Sequence, residues 1–228
     1  MAKFSKIIRE SNENLLISKF IHLFKAKVNK RLKSSKRFSF VLTGGNSPIK
    51  LYKKLSKSKK IQWKKIDFFI SDERYVNLDS KHSNINLCKK YLLDKIEVSK
   101  KQIFNIPTNG QSILQDTKNY EKKIKKYFNN KKIKFDLVLL GIGNDGHIAS
   151  LFKNNIDLKN YKNVSFVKKK VFDRITLTIN SINKSKLIFL WAPGKIKYKI
   201  VKKISSDYTK KYPASFLRKE NNFLFYSN

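Results

Sequence analysis

The stretch Asp136–Phe152, DLVLLGIGNDGHIASLF, constrains this chain more than any other. Leu137 to Leu140 is a solid apolar run of strand length, suited to burial on both faces of a sheet. Gly141, Gly143 and Gly146 then punctuate a tight turn, and a helix-compatible segment resumes at Ile148. A buried strand that ends in glycines and enters a helix is where α/β proteins place ligands, at the carboxyl edge of the sheet. Asp145 and His147 stand in that turn. An acid and an imidazole two residues apart, on a backbone that glycine opens to close approach, point to chemistry. A plain helix cap by Asp145, with a solvated His147, is the competing reading.

The three glycines spell GxGxxG, but the surroundings of a dinucleotide fingerprint are missing. That motif opens the first βαβ unit and is followed about twenty residues later by an acid. Here it lies past mid-chain, and the next strand-like run, Val164 to Val167, ends in Lys168, Lys169 and Lys170. Asp145 inside the loop would also repel a pyrophosphate.

The chain has 228 residues, enough to bury a substantial core as one large α/β domain or two small ones. A single cysteine, Cys88, rules out an internal disulfide framework and a cysteine-built zinc site. It suits a reducing compartment, and with no apolar run long enough to span a membrane and no signal-peptide core, the expected location is cytoplasmic. The formal net charge of +36 admits two readings. One is a basic nucleic-acid-binding protein. The other is compositional drift, since lysine, asparagine and isoleucine are abundant together and the lysines occur in every segment rather than in one stripe. Recognised RNA-binding signatures are absent, which favours drift. A positive surface would still steer phosphorylated substrates toward a site.

Along the chain, Phe4 to Ile8 reads as a short strand and Asn12 to Leu32 as an amphipathic helix, with Glu10 and Glu13 at its start. Phe38 to Leu42 is a strand, followed by Thr43-Gly44-Gly45-Asn46-Ser47-Pro48. Ser47 is expected to cap the next helix with Pro48 as its first residue. Glycine turn and helix N-terminus together make an anion cradle. Ile66 to Ile70 is a third strand, ending in Ser71-Asp72-Glu73-Arg74, where an arginine can clamp a phosphate and acids can bind sugar hydroxyls. Helices are expected from Ser83-Asn84 through Leu92 and over Ser112 to Phe128. A lysine- and asparagine-rich loop follows Phe152. Arg174 to Ile179 and Leu187 to Trp191 read as strands, Pro193-Gly194 leads into a helix carrying Lys195 and Lys197, and Phe223 to Tyr226 as an edge strand. Repeated alternation of strand and helix implies a mostly parallel, helix-covered sheet.

These strand-end motifs resemble the 6-phosphogluconolactonase family. The resemblance rests on Thr43–Pro48, Ser71–Arg74 with Ser83-Asn84, Leu140–Phe152, Arg174–Thr178, and Gly194 with Lys197. It implies a single domain over 1–228, a Rossmann-like α/β three-layer sandwich shared with glucosamine-6-phosphate deaminase. It also implies hydrolysis of 6-phospho-D-glucono-1,5-lactone, with His147 as general base and Asp145 orienting it. Gly44, Gly45, Asn46, Ser47, Asp72, Glu73, Arg74, Asn84, Arg174 and Lys197 are then expected around the substrate. No cofactor, metal, membrane or specific nucleic acid is implied, and the expected assembly is a monomer or weak homodimer. The deaminase is the nearest alternative, but deaminases continue from the Asp-Gly-His core into a Phe-Asn-Glu-Pro run. Here Ala149-Ser150-Leu151-Phe152 follow Ile148 instead. The chain departs from the family pattern at Asn46-Ser47, Asn77, Lys153 and Ser227.

Overall fold

The continuous apolar runs become buried strands, and the 3.6-spaced runs become helices that cover them. A computed structural model describes residues 4–155, 162–206 and 212–227. In chain order the elements are β1 (Lys6–Glu10), α1 (Glu13–Leu32), β2 (Phe38–Leu42), α2 (Ile49–Ser56), β3 (Ile66–Ile70), β4 (Asp72–Arg74), α3 (Asn84–Tyr91) and β5 (Ile103–Phe104). Then come α4 (Ile113–Tyr127), β6 (Leu137–Gly141), β7 (Val164–Val167), β8 (Arg174–Leu177), α5 (Ile179–Asn183), β9 (Ile188–Ala192), α6 (Lys195–Ser206) and β10 (Asn222–Ser227).

Seven strands form one parallel sheet in the order β1-β10-β9-β6-β2-β3-β5. Alternation along β3 shows that helices cover both faces, as the sequence implies. Phe68 belongs to a ring cluster with Phe40, Trp63 and the α1 residue Phe24. Its neighbour Phe69 points the other way, against Tyr127 of α4, Phe104 and Phe135. Helix α1 starts at Asn12, whose side chain accepts the Leu15 N–H, and Phe20 brings Phe189, Trp191 and Phe225 to the same face. After β2 the chain builds outward through β3 and β5, then returns to the other side of β2 with β6. The connections leaving β2 and β6 therefore diverge, opening a crevice at the carboxyl ends of these strands.

Several expectations shift. The first strand is Lys6–Glu10 rather than 4–8, and it pairs outside β10, so β10 is an interior strand and not an edge. The helix cap at α2 falls on Pro48, one residue later than Ser47, because the Ile49 N–H closes a turn onto the Asn46 carbonyl. No helix resumes at Ile148. Ile142 and Leu151 each form an antiparallel bridge with Ile148, and Ala149 adopts a left-handed φ of 48°. Ile148, Ala149, Ser150 and Leu151 are all buried, so this segment has no solvated face for a surface helix to present. The Ser71–Arg74 run does not merely end β3; Asp72–Arg74 turns into a second, antiparallel sheet of order β4-β8-β7. Of the lysine- and asparagine-rich loop after Phe152, residues 156–161 lie outside the described residues. Among the described residues no helix is long and apolar enough to cross a membrane.

At the opposite, amino-terminal edge of the sheet, Asp136 ties β6 to its neighbours. Its carboxylate accepts from Arg31 Nε at 2.6 Å, Lys186 Nζ at 2.8 Å, and both the backbone N–H and hydroxyl of Ser39 at 2.9 and 3.0 Å. Arg31 and Lys186 remain about one-third exposed and can rehydrate, whereas Ser39 is buried. The cost of losing the carboxylate therefore falls mainly on the stranded Ser39 donors. Asp136→Ala should destabilise the fold by roughly 2–4 kcal/mol. Urea unfolding with an unchanged m-value checks it, and a loss under 1 kcal/mol would contradict this account.

Candidate active site

The crevice at the ends of β2 and β6 is a cleft of about 200 Å³, lined by Thr43, Gly44, Gly45, Ser47, Asp72, Arg74, Asn84, Gly141, Ile142, Gly143, His147, Ala149, Arg174 and Lys197. Thus eight of the expected substrate-binding or catalytic residues share one cavity wall: Gly44, Gly45, Ser47, Asp72, Arg74, Asn84, His147 and Arg174, with Lys197 a ninth. Asn46 faces instead an adjoining depression, which shares Ser47 and Lys197 with the cleft and adds Lys50, Lys53 and Lys195. Glu73 is buried behind the lining, and Asp145 is exposed on the turn beside it.

The β2 wall is held from below. The Tyr52 hydroxyl donates to the Thr43 carbonyl at 2.7 Å and accepts the Thr43 N–H at 3.1 Å, while Trp191 Nε1–H donates to the Ser47 carbonyl. Gly44 has no room for a side chain: a Cβ there would lie 1.9 Å from Asn84 Oδ1. Asn84 fills that space because its Nδ2 donates to the Asp72 carbonyl at 2.7 Å. Asn84 Oδ1 is buried and has no hydrogen-bond partner.

Glu73 does structural work beneath this wall. Its carboxylate accepts the backbone N–H groups of Arg74, Asn84 and Ile85 and the Ser83 hydroxyl, fastening β4 to the start of α3. Burial pushes its pKa up to about 7, opposed by those three N–H donors. Asp72 also lines the cleft, with one oxygen accepting from the Ser71 hydroxyl and the other from the Ser150 hydroxyl at 2.7 Å. Ser150 was not singled out from the sequence. Its place after a histidine-bearing turn carries no signal, because its partner is 78 residues away.

Two guanidiniums meet where β4 and β8 pair, since Arg74 and Arg174 are register partners. Arg74 donates to the His82 carbonyl at 2.6 Å, yet its Nε, like that of Arg174, is buried without a partner. Burial lowers the Arg174 pKa, with Asp72 raising it and Arg74 lowering it further. Lys197 is lowered by burial and partly restored by Asp145; its ammonium donates to Asn144 Oδ1 at 2.7 Å. Paired cations with unfilled donors are suited to a multiply charged oxyanion.

The β6 wall carries the acid–imidazole pair. The Gly143 N–H donates to the His147 carbonyl at 2.8 Å and the Gly146 N–H to the Gly143 carbonyl, so the turn folds back on itself. A Cβ at Gly143 would lie 2.1 Å from His147 Nδ1, which explains glycine there. Asp145 Oδ1 lies 2.6 Å from His147 Nδ1 and also accepts the His147 N–H at 3.2 Å. Partial burial raises the Asp145 carboxyl, but the hydrogen bonds and charge of His147 outweigh that and hold it below its ordinary value. With Nδ1 engaged, Nε2 is the ring nitrogen left to exchange a proton. Asp145 is therefore a partner of the imidazole and not a helix cap. Among the described residues no cluster of histidine, cysteine or carboxylates could hold a metal ion.

A family model described as glucosamine-6-phosphate isomerases/6-phosphogluconolactonase matches residues 11–225. The chain is 32% identical to a 6-phosphogluconolactonase of Thermotoga maritima over 87% of each sequence. It is 29% identical to one of Synechocystis over 94% of this chain and 91% of the relative. A crystal structure of the Thermotoga maritima 6-phosphogluconolactonase superposes with a TM-score of 0.84, at 29% identity, over 98% of this chain and all of that one. The structure of a 6-phosphogluconolactonase from Trypanosoma cruzi gives 0.85 at 25% identity, covering 99% and 96%. With the matching model, the relatives and the fold in agreement, the chain belongs to the glucosamine-6-phosphate isomerase/6-phosphogluconolactonase family.

Proposed function

We propose that the protein hydrolyses 6-phospho-D-glucono-1,5-lactone to 6-phosphogluconate, as a single catalytic domain working in the cytoplasm. The observation that carries this reading is the shared cleft: an imidazole with one nitrogen committed to Asp145 faces two guanidiniums with unfilled Nε donors. The phosphate dianion is taken by Arg74, Arg174 and Lys197 with the Gly44–Ser47 turn, and Asp72 and Asn84 meet the ring hydroxyls. This fixes the lactone carbonyl beside His147. Water then attacks C1 while His147 Nε2 takes its proton, leaving a tetrahedral alkoxide at C1. The alkoxide reforms the carbonyl as the C1–ring-oxygen bond breaks. The imidazolium returns its proton to the departing ring oxygen, which becomes the C5 hydroxyl. The acid product then ionises.

The deaminase alternative would need a carboxylate working with the histidine beyond Asp145. The residue packed on the imidazole here is Phe152, with ring centroids 4.7 Å apart.

His147→Ala should lower kcat about 10²- to 10⁴-fold with KM little changed, measured as lactone opening above the spontaneous rate. A wild-type protein that does not accelerate lactone opening, or releases ammonia from glucosamine 6-phosphate, would overturn the assignment. Asp145, depressed by His147, stays ionised as the pH falls through the acid limb of kcat/KM. Removing that negative charge in Asp145→Asn disfavours the imidazolium, so the limb should move to lower pH. A shift to higher pH would refute the pairing. The +36 charge makes a third expectation: kcat/KM should fall as ionic strength rises, with kcat nearly constant.

A further inference from the structure

Phe152 ends the turn that carries His147, and nothing in the reaction above uses it. Its backbone N–H donates to Asn155 Oδ1, and Asn155 Nδ2 donates in turn to the Ser150 carbonyl at 3.1 Å. The phenyl ring is thus anchored by its own loop. It lies 4.7 Å from the imidazole, tilted by 39°. Two cations of the β7–β8 hairpin meet the same ring: Lys169 Nζ is 3.7 Å from its centroid and Arg174 Cζ 5.7 Å. Lys169 is otherwise a surface residue of a turn closed by its own N–H onto Asp173 Oδ1 at 3.0 Å. An exposed ammonium so close to a ring centroid is a cation–π contact. One ring thus meets both the imidazole and two cations of the hairpin.

Resting on the lactonase reading, we propose that Phe152 is a positioning residue for His147, its own ring steadied by Lys169. Asp145 fixes one nitrogen but leaves the ring plane free to tilt about that hydrogen bond. Phe152 removes that freedom by packing against the ring.

The test uses Phe152→Leu and Phe152→Tyr in the full chain, each checked for an unchanged melting curve. Phe152→Leu is expected to lower kcat about tenfold or more with KM within twofold, while Phe152→Tyr, which restores a ring, recovers activity to within about threefold of wild type. A second readout does not depend on turnover. The chain has three histidines, so the His147 imidazole carbon-bound proton signal can be assigned by comparison with His147→Ala. Phe152→Leu should displace that signal by removing the ring current. Equal kcat in Phe152→Leu and wild type, a loss not recovered by tyrosine, or an unmoved His147 signal would overturn the proposal. An inert wild type whose His147 signal still responds would sink the lactonase reading and leave the packing of Phe152 on His147 standing.

Discussion

The site depends on Asp72 more than on any other group. Its backbone carbonyl receives Asn84, its carboxylate receives Ser71 and Ser150, and Asn84 in turn occupies the space that Gly44 leaves vacant. One residue at the mouth of β3 thereby locks three segments that are far apart in the chain: the anion turn after β2, the start of α3, and the loop beyond His147. Hydrogen bonds to a charged acceptor contribute on the order of 1.5–3 kcal/mol each, more than neutral ones. They also fix direction, and direction is what a reaction at one carbonyl carbon requires. Asp145 repeats the device on a smaller scale by committing one imidazole nitrogen.

Buried carboxylates recur throughout the molecule and explain how so basic a chain folds. Asp67, Asp72, Glu73, Asp116 and Asp136 are all buried, whereas no lysine or arginine among the described residues is. Each buried acid accepts backbone N–H, hydroxyl or guanidinium donors that would otherwise be stranded, as Asp116 does for Gly110 and Tyr75. With these acids drawn inward, the surface is more positive than the formal charge alone suggests. Self-repulsion among the surface cations is screened by salt, and the buried bonds are not. The same imbalance leaves the cleft with Arg74, Arg174 and Lys197 facing few anions of the protein's own, so the counter-charge is left to a ligand.

Much of this was legible in the sequence because it is local. β2, β3 and α3 fall within a residue of the expected runs, since continuous apolar stretches and a serine N-cap depend on neighbours within a turn or two. The strand-end motifs also marked the correct edge of the sheet. The helix expected after Gly146 fails for an equally physical reason: Ile148 to Leu151 have helix-compatible residues, but all four are buried in turns whose partners come from β4 and β8. Glu73 illustrates the same gap. Its carboxylate at a strand end suggests a sugar-binding acid, and only the position of α3 turns it into the acceptor of three backbone donors.

By itself, then, the sequence determined which strands are buried, where glycines open the backbone, and where an acid and an imidazole share one turn, because each follows from spacing along the chain. Only the tertiary structure decided that β10 is an interior strand, that Asp72 rather than Glu73 lines the cleft, and that Phe152 stands against the imidazole with Lys169 on its ring. Those facts arise from contacts between segments tens of residues apart. Chain periodicity carries no record of such contacts until the crossover from β5 back to β6 brings the two halves of the sheet together.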